Sequence, residues 1–349
     1  MFAIAIFRTG SFGEVVLASV AINILQDVVP GAHIHWFGKS ATLGFIKDAF
    51  PASHVHEIKP GAGYKANIKI VKEASQSFDI IIDLQRSLRT IILGKLAAAH
   101  FSCPYITWNK YSIHRSLLVL QSRIRGRASG ADLMPVPLTN RYAAMANCTQ
   151  KALLKIGIQI PEHIVSYKPY INTGHSPIPK TIAINLGALY AGKELPLYKL
   201  KEILSYTVNN NIAETVYFLG DESKYTNAEI LAGQHKGSIH FYNLCGKTTL
   251  WQAACILATC TFSISNDTAL AHLSECVNTP VLMFFGPTHE KFGYRPHLQN
   301  SKSFSANISC RPCTKGGNTN CRYKDFKCLH DINLLPVFDH ISYLNTIYS

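Results

Sequence analysis

The chain has 349 residues, 47% hydrophobic and 16% charged, with 34 Lys and Arg against 21 Asp and Glu and a formal net charge of +13. So apolar a composition excludes intrinsic disorder, and the length exceeds the roughly 250–300 residues at which a single core stops growing, so two domains are expected. The longest apolar runs, Val15–Leu25 and Ile80–Phe101, are too short or too interrupted by Asn23, Asp83, Arg86, Arg89 and Lys95 to cross a bilayer, and no signal-peptide pattern precedes the first apolar run, which points to a cytoplasmic protein.

In chain order, Phe2–Phe7 predicts a buried strand, Glu14–Val29 a helix, His33–Phe37 a strand, Leu43–Phe50 a helix and His54–Ile58 a strand. Ala66–Ser77 predicts a helix and Asp79–Asp83 a short buried strand, followed by a helix through Ala99. Residues 110–172 read as mostly helical and basic, and 172–180 has the Pro, Gly and Ser of a linker. The alternation then restarts. Strands are expected at Thr181–Leu186, Glu214–Leu219, Ile239–Tyr242, Phe262–Ser265 and Val281–Phe285. Helices are expected at Leu197–Asn209, Tyr225–Gly233, Leu250–Ala258 and Thr268–Cys276. Two α/β, doubly wound parallel-sheet domains follow, over residues 1–172 and 173–349, the second with a Cys-rich loop at 310–328 and a C-terminal helix.

The charge is uneven: residues 1–172 carry a net +10 and residues 173–349 a net +3. Between Leu84 and Ala131 there is no acidic residue, whereas Arg86, Arg89, Lys95, Lys110, Arg115, Arg123, Arg125 and Arg127 are basic. The plain alternative is a solvated basic face, but such a field suits a phosphate-rich ligand or an anionic membrane. No zinc-finger, helix-turn-helix or RNA-binding aromatic pattern accompanies it, so nucleic acid is not expected.

Thr9-Gly10-Ser11-Phe12-Gly13-Glu14 follows the first strand and opens the first helix. Its Gly-x-x-Gly spacing, and the absence of a carboxylate after the second strand, disfavour a nicotinamide dinucleotide. Glu14 is either a chemical base or simply a favourable charge at a helix start. In the second half, Gly187 and Ala188 lead to Lys193 in a small-residue loop, where a lysine can meet a phosphate as a point charge. Asp221 and Glu222 end a strand and could accept from ribose hydroxyls. Leu244–Leu250 forms a Gly-Lys-Thr-Thr turn, and Asn266-Asp267-Thr268-Ala269-Leu270-Ala271-His272 feeds a strand into a helix. Taken alone, each is weak, since Asp267-Thr268 also reads as an ordinary cap.

Together and in this order, with Thr279–Thr288 following, these segments resemble glycosyltransferase family 9, the bacterial ADP-heptose:lipopolysaccharide heptosyltransferases, most nearly the heptosyltransferase II type. The likeness covers about residues 2–332. It implies a GT-B fold, two Rossmann-like domains facing a cleft, with the acceptor on the N-terminal domain and the nucleotide sugar on the C-terminal one. It places Glu14 at the family's catalytic carboxylate, Asp in its best-known members, and Lys193 at a phosphate-contacting lysine. Glu222, with Asp221 as substitute, falls at the ribose. Thr268, Ala269 and Leu270 fall at a pyrophosphate-binding helix start, with Ala269 replacing the usual Gly, and Asp267 and His272 line the donor sugar. Gly187 and Ala188 complete the donor set; Gly10, Ser11, Gly13, Arg86, Arg89, Arg115 and Arg123 are the acceptor candidates. The implied reaction is an inverting displacement with ADP-heptose as donor and no required cofactor; the sequence has no Asp-x-Asp metal grip. The implied acceptor is lipopolysaccharide inner core on lipid A, which seats the protein at the inner face of the cytoplasmic membrane. Rival readings are a non-catalytic glycan-binding relative and another nucleotide-sugar enzyme such as an epimerase.

Six of the ten cysteines, Cys103, Cys148, Cys245, Cys255, Cys260 and Cys276, sit singly and read as reduced core thiols. Cys310, Cys313, Cys321 and Cys328 form one C-x2-C pair followed by two split cysteines, an arrangement open to structural zinc, reduced thiols or, against the cytoplasmic redox state, disulfides.

Overall fold

The computed structural model describes residues 2–126, 139–164, 167–235, 237, 239–318 and 320–348; Arg127 and Ala131, in the basic run, lie outside them. The described residues form two compact units, residues 2–110 with 139–171 and residues 111–126 with 172–348. The helix bearing Arg115 and Arg123 groups with the second unit, whereas a boundary at 172 places it with the first.

The first unit contains β1 (Ala3–Phe7), α1 (Phe12–Ala18), α2 (Val20–Val28), β2 (His33–Gly38), α3 (Ser40–Ala49), β3 (His54–Glu57), α4 (Tyr64–Ala74), β4 (Ile80–Asp83), α5 (Leu88–Phe101) and β5 (Tyr105–Thr107). After α6 (Ser112–Arg125), which groups with the second unit, α7 (Arg141–Lys155) completes the first. The strands are parallel in the order β3-β2-β1-β4-β5. β1 and β4 are buried along their whole length, which is why they read as unbroken apolar runs. The single helix expected at Glu14–Val29 divides at Ser19, whose hydroxyl donates to the Val16 carbonyl at 2.7 Å.

The second unit continues with β6 (Thr181–Asn185), α8 (Leu197–Asn209), β7 (Thr215–Leu219), α9 (Tyr225–Gly233), β8 (His240–Asn243), α10 (Leu250–Ala258), β9 (Phe262–Asn266) and α11 (Ala269–Cys276). β10 (Val281–Phe285), β11 (Lys302–Ser305), α12 (Lys327–His330) and α13 (Leu335–Tyr348) close it. Its parallel order is β11-β10-β9-β6-β7-β8. Ile182, Ile184, Phe218, Phe262, Ile264 and Phe284 from its strands pack with Leu200, Ile203 and Leu204 of α8 and with Val337, Ile341 and Leu344 of α13. In each sheet the chain builds outward on one side and returns to build on the other. The loops after β1 and β4, and after β6 and β9, therefore diverge and leave a crevice at the strand C-termini.

One edge of the first sheet is a histidine ladder. The β2–β3 register pairs His35 with His54 and Phe37 with His56, so His33, His35, His54 and His56 share one face. His35 Nδ1 lies 3.0 Å from His56 Nε2, and the His35 and His54 rings stack with centroids 4.7 Å apart. Burial, then repulsion from His56, His54 and His33, takes His35 down to a pKa of about 4, and burial with His54 lowers His56. Both folded values lie below the unfolded one, so the unfolded chain takes up more protons once the pH drops below about 6.5. The first unit should keep its full stability above that point and lose it as pH falls toward 4. Thermal melts between about pH 7 and pH 5 are expected to show a falling midpoint, and His35→Phe, which keeps a ring without a proton, a flatter fall.

Candidate active site

β1 delivers Arg8 into the interior, where its side chain is fully buried, and the chain turns through Thr9-Gly10-Ser11 into α1, with Glu14 in its first turn. Glu14 Oε2 meets Arg8 Nη2 at 2.8 Å, and Oε1 meets Nη2 of Arg141, from α7, at 3.0 Å. Arg8 also donates through Nη1 to the Leu84 carbonyl, and the Arg141 guanidinium lies 4.7 Å from the Trp108 ring centroid. Both arginines are thus anchored before they reach the carboxylate, whose side chain stays 23% exposed. Gly10 is required by contact: a Cβ there would come within 2.6 Å of Glu14 Oε2.

Lys110 stands close by. Burial, then the charge of Arg8, lowers its amine to about 8, with Glu14 opposing. The surroundings of Glu14 therefore hold more positive than negative charge. At the end of β4, Asp83 Oδ1 accepts from the amides of Gln85 at 2.9 Å and Arg86 at 2.7 Å, and Oδ2 from the Tyr105 hydroxyl at 2.9 Å. Burial raises its carboxyl and these bonds oppose that, so Asp83 shapes the loop next to Gly10. Arg86 donates to the Trp108 carbonyl at 2.7 Å. Gly10, Ser11, Gly13 and Arg86 thus stand at the strand ends with Glu14. Arg89 is in the first turn of α5, and Arg115 and Arg123 lie on α6, in the second unit.

In the second unit the loops after β6 and β9 are tied by Asn266. Its Oδ1 accepts from the Leu195 amide at 2.8 Å, and its Nδ2 donates to the Gly187 carbonyl at 3.1 Å. Next to it, Lys193 Nζ meets Asp267 Oδ2 at 2.7 Å, and the Thr288 hydroxyl donates to the same oxygen at 3.0 Å. Burial would raise the Asp267 carboxyl, but Lys193, His272 and the Thr288 bond hold it below its usual value. Burial lowers His272 against the pull of Asp267 and Glu275. Thr268 makes no side-chain cap, and Thr268, Ala269 and Leu270 are half-buried, so the first turn of α11 offers backbone amides to an anion. The Ala188 amide donates to Glu194 Oε1 at 3.3 Å, and Glu194 pairs with Lys224 at 2.7 Å. Asp221 is engaged as the cap of the Ser223 amide at 2.9 Å, which leaves Glu222, against Gly246, as the stronger ribose candidate of the two.

The four clustered cysteines are free thiols lining one cavity of about 260 Å³ in the second unit. Among the described residues no three His, Cys, Asp or Glu side chains are grouped to hold a metal ion, so structural zinc is not supported. Burial, then the neighbouring cysteines, pushes Cys313 up to about 11, and burial takes Cys328 up to about 12, whereas at Cys321 burial is outweighed by backbone hydrogen bonds, which hold the thiol below its usual value. Sequence reasoning did not single out Arg8, Arg141, Glu194, Lys224 or Thr288, and saw Lys110 only as part of a basic run. Arg8 alone left a signal, a charge at the end of a buried strand. Removing Lys193 strands a buried carboxylate, so Lys193→Met should lower unfolding free energy by about 3–5 kcal/mol, and adding Asp267→Asn should recover most of it, read by chemical denaturation.

Residues 69–324 match the sequence model of glycosyltransferase family 9 (heptosyltransferase). Lipooligosaccharide heptosyltransferase 2 of Campylobacter jejuni serotype O:2 is 23% identical over 331 residues, 92% of this chain and 91% of that protein. Its namesake in serotype O:6 is 26% identical over 169 residues, 48% of this chain and 52% of that protein, so that match spans about half of its length. Among solved structures, Escherichia coli ADP-heptose lipopolysaccharide heptosyltransferase II has a TM-score of 0.68 at 17% identity, covering 99% of both chains, a likeness of fold. With the family match covering most of the sequence and two parallel α/β sheets, the chain belongs to glycosyltransferase family 9 and has its GT-B fold.

Proposed function

We propose that this glycosyltransferase moves a heptose from ADP-heptose to the inner core of lipopolysaccharide, by a single inverting displacement without a divalent metal. The observation that carries the reading is that Glu14 and Lys193 each stand at strand C-termini beside the reversal point of their own sheet. The unit of residues 2–110 and 139–171 then serves as the acceptor domain and the unit of residues 111–126 and 172–348 as the donor domain.

An acceptor hydroxyl bonds to Glu14 and gives up its proton as its oxygen attacks the anomeric carbon. Arg8 and Arg141 fix the carboxylate that receives the proton. Lys193 and the first-turn amides of α11 offset the charge that develops on departing ADP, while Asp267 and His272 line the sugar and Glu222 takes the ribose. The positive excess of Arg8, Lys110 and Arg141 over Glu14, with Arg86 and Arg89 on the neighbouring loop and helix, supports an acceptor rich in carboxylate and phosphate. A lipid-linked acceptor makes the protein peripheral to the inner face of the cytoplasmic membrane.

ADP release from ADP-heptose, measured with and without a truncated lipopolysaccharide acceptor, tests this. Release should depend on acceptor, survive chelation, and drop about 10²–10⁴-fold in Glu14→Gln. Glu14→Asp, which restores the family's commoner carboxylate, should retain part of the rate, and thermal melts would separate lost chemistry from lost pairing with the arginines. Release without acceptor, or an unimpaired Glu14→Gln, would sink the reading. A Cβ at Gly317 would come within 2.4 Å of Lys193 Cδ, at a φ of +89°. Gly317→Ala should therefore displace the lysine and raise KM for ADP-heptose about tenfold, equivalent to about 1.4 kcal/mol.

A further inference from the structure

Helix α6 has two opposed faces. Arg115, Val119 and Ser122 are buried, and Val119 packs with Phe292. Ile113, Leu117, Leu120 and Ile124 are 75%, 52%, 54% and 76% exposed. At about 3.6 residues per turn these four fall within roughly 60° of one another, on the side away from the buried three. A helix that covers a core normally turns polar residues to water. Here the outward stripe is aliphatic, and a line of four such side chains marks a contact surface more than scattered exposure does.

The flanks are basic. Arg123 and Arg125 border the stripe, and the loop packed against α6 adds Lys315, whose Nζ donates to Ser116 Oγ at 2.9 Å, and Arg322, which donates to the Arg123 carbonyl at 2.9 Å. No acidic residue occurs in α6, or anywhere between Leu84 and Ala131. At 14 residues, α6 is about 21 Å long, and no described helix is long and apolar enough to cross a membrane, so α6 can only lie along one. We propose that this face of α6 docks onto an anionic lipid bilayer, with Ile113, Leu117, Leu120 and Ile124 among the upper acyl chains and the arginines at the headgroup phosphates. Its place in the cell rests on the lipid-linked acceptor proposed above; the surface itself rests on exposure and charge.

The test is flotation of the full-length protein with vesicles of phosphatidylethanolamine and phosphatidylglycerol, and separately of phosphatidylcholine. Binding should favour the anionic vesicles and weaken with salt. The triple change Ile113→Ser, Leu120→Ser and Ile124→Ser should reduce it by about tenfold or more, and Arg125→Gln by about fivefold. Since the replaced side chains are exposed, the triple variant should melt like the wild type. Leu120→Trp emission should shift to the blue, and become shielded from an aqueous quencher, only when anionic vesicles are added. Wild-type partitioning of the triple variant would overturn the proposal. So would vesicle-free sedimentation showing a wild-type dimer that the triple change dissolves, since the occupant would then be a second copy. With a soluble, delipidated core oligosaccharide as acceptor, the triple variant should release ADP at the wild-type rate. Failure of the wild type in that assay would count against the transferase reading and leave the vesicle result standing.

Discussion

The point at which each parallel sheet reverses its direction of growth constrains everything else in the chain. Crossovers that leave neighbouring strands in opposite directions cannot cover the strand ends between them, so backbone and loop side chains stay accessible there. Both units settle that opening with a polar residue at the last position of a strand. Asp83 accepts from the amides of Gln85 and Arg86, and Asn266 accepts from Leu195 while donating to Gly187. Each residue satisfies backbone groups that would otherwise be left without partners and fixes the loop on which chemistry is built.

The carboxylates at the two openings are held in different ways. Glu14 is partly exposed and lies between two buried guanidiniums; Asp267 is buried with a single ammonium. Taking paired ions out of water is costly, and an apolar replacement of similar shape is often at least as stable, so such pairs are poor devices for stability alone. They are good devices for orientation. Around Glu14 the imbalance of charge also has a consequence. Lys110 is lowered to about 8 by burial and by Arg8, so an anionic group arriving beside it relieves repulsion as well as forming contacts.

Legibility in the sequence followed burial. α8, α9, α10 and β10 run between the residues that the sequence predicts, and each buries apolar side chains along its length. β5 and β11 escaped: one is three half-buried residues, and the other is an edge strand with Phe304 as its one buried residue. The break at Ser19 is one residue long, with its hydroxyl on the Val16 carbonyl, and periodicity does not register it. Glu14, Lys193 and Asp267 were each weak signals as loop residues and were singled out only because their segments, in this order, resemble the family's. The Glu14–Arg141 pair could not be picked out, since it joins positions 127 residues apart. The cysteine spacing left zinc, thiols and disulfides open, because spacing does not report how side chains converge; the structure has free thiols around one cavity and, among the described residues, no metal-holding group.

In the transfer proposed above, the Lys193–Asp267 pair would let the second unit act without rearranging. An ammonium has three donors, and Asp267 uses one, so the cation is aimed while donors remain for a phosphate oxygen. Thr288 bonds the same carboxylate oxygen, and Gly317 stands against the lysine stem, which limits its swing from both ends. A flexible lysine would lose side-chain entropy on binding a diphosphate. Here much of that ordering is already imposed by folding, through the 2.7 Å contact with Asp267. Positive charge that is fixed before the substrate arrives needs no reorganisation when the leaving group departs, and that is the condition under which electrostatic stabilisation contributes most to a transfer reaction.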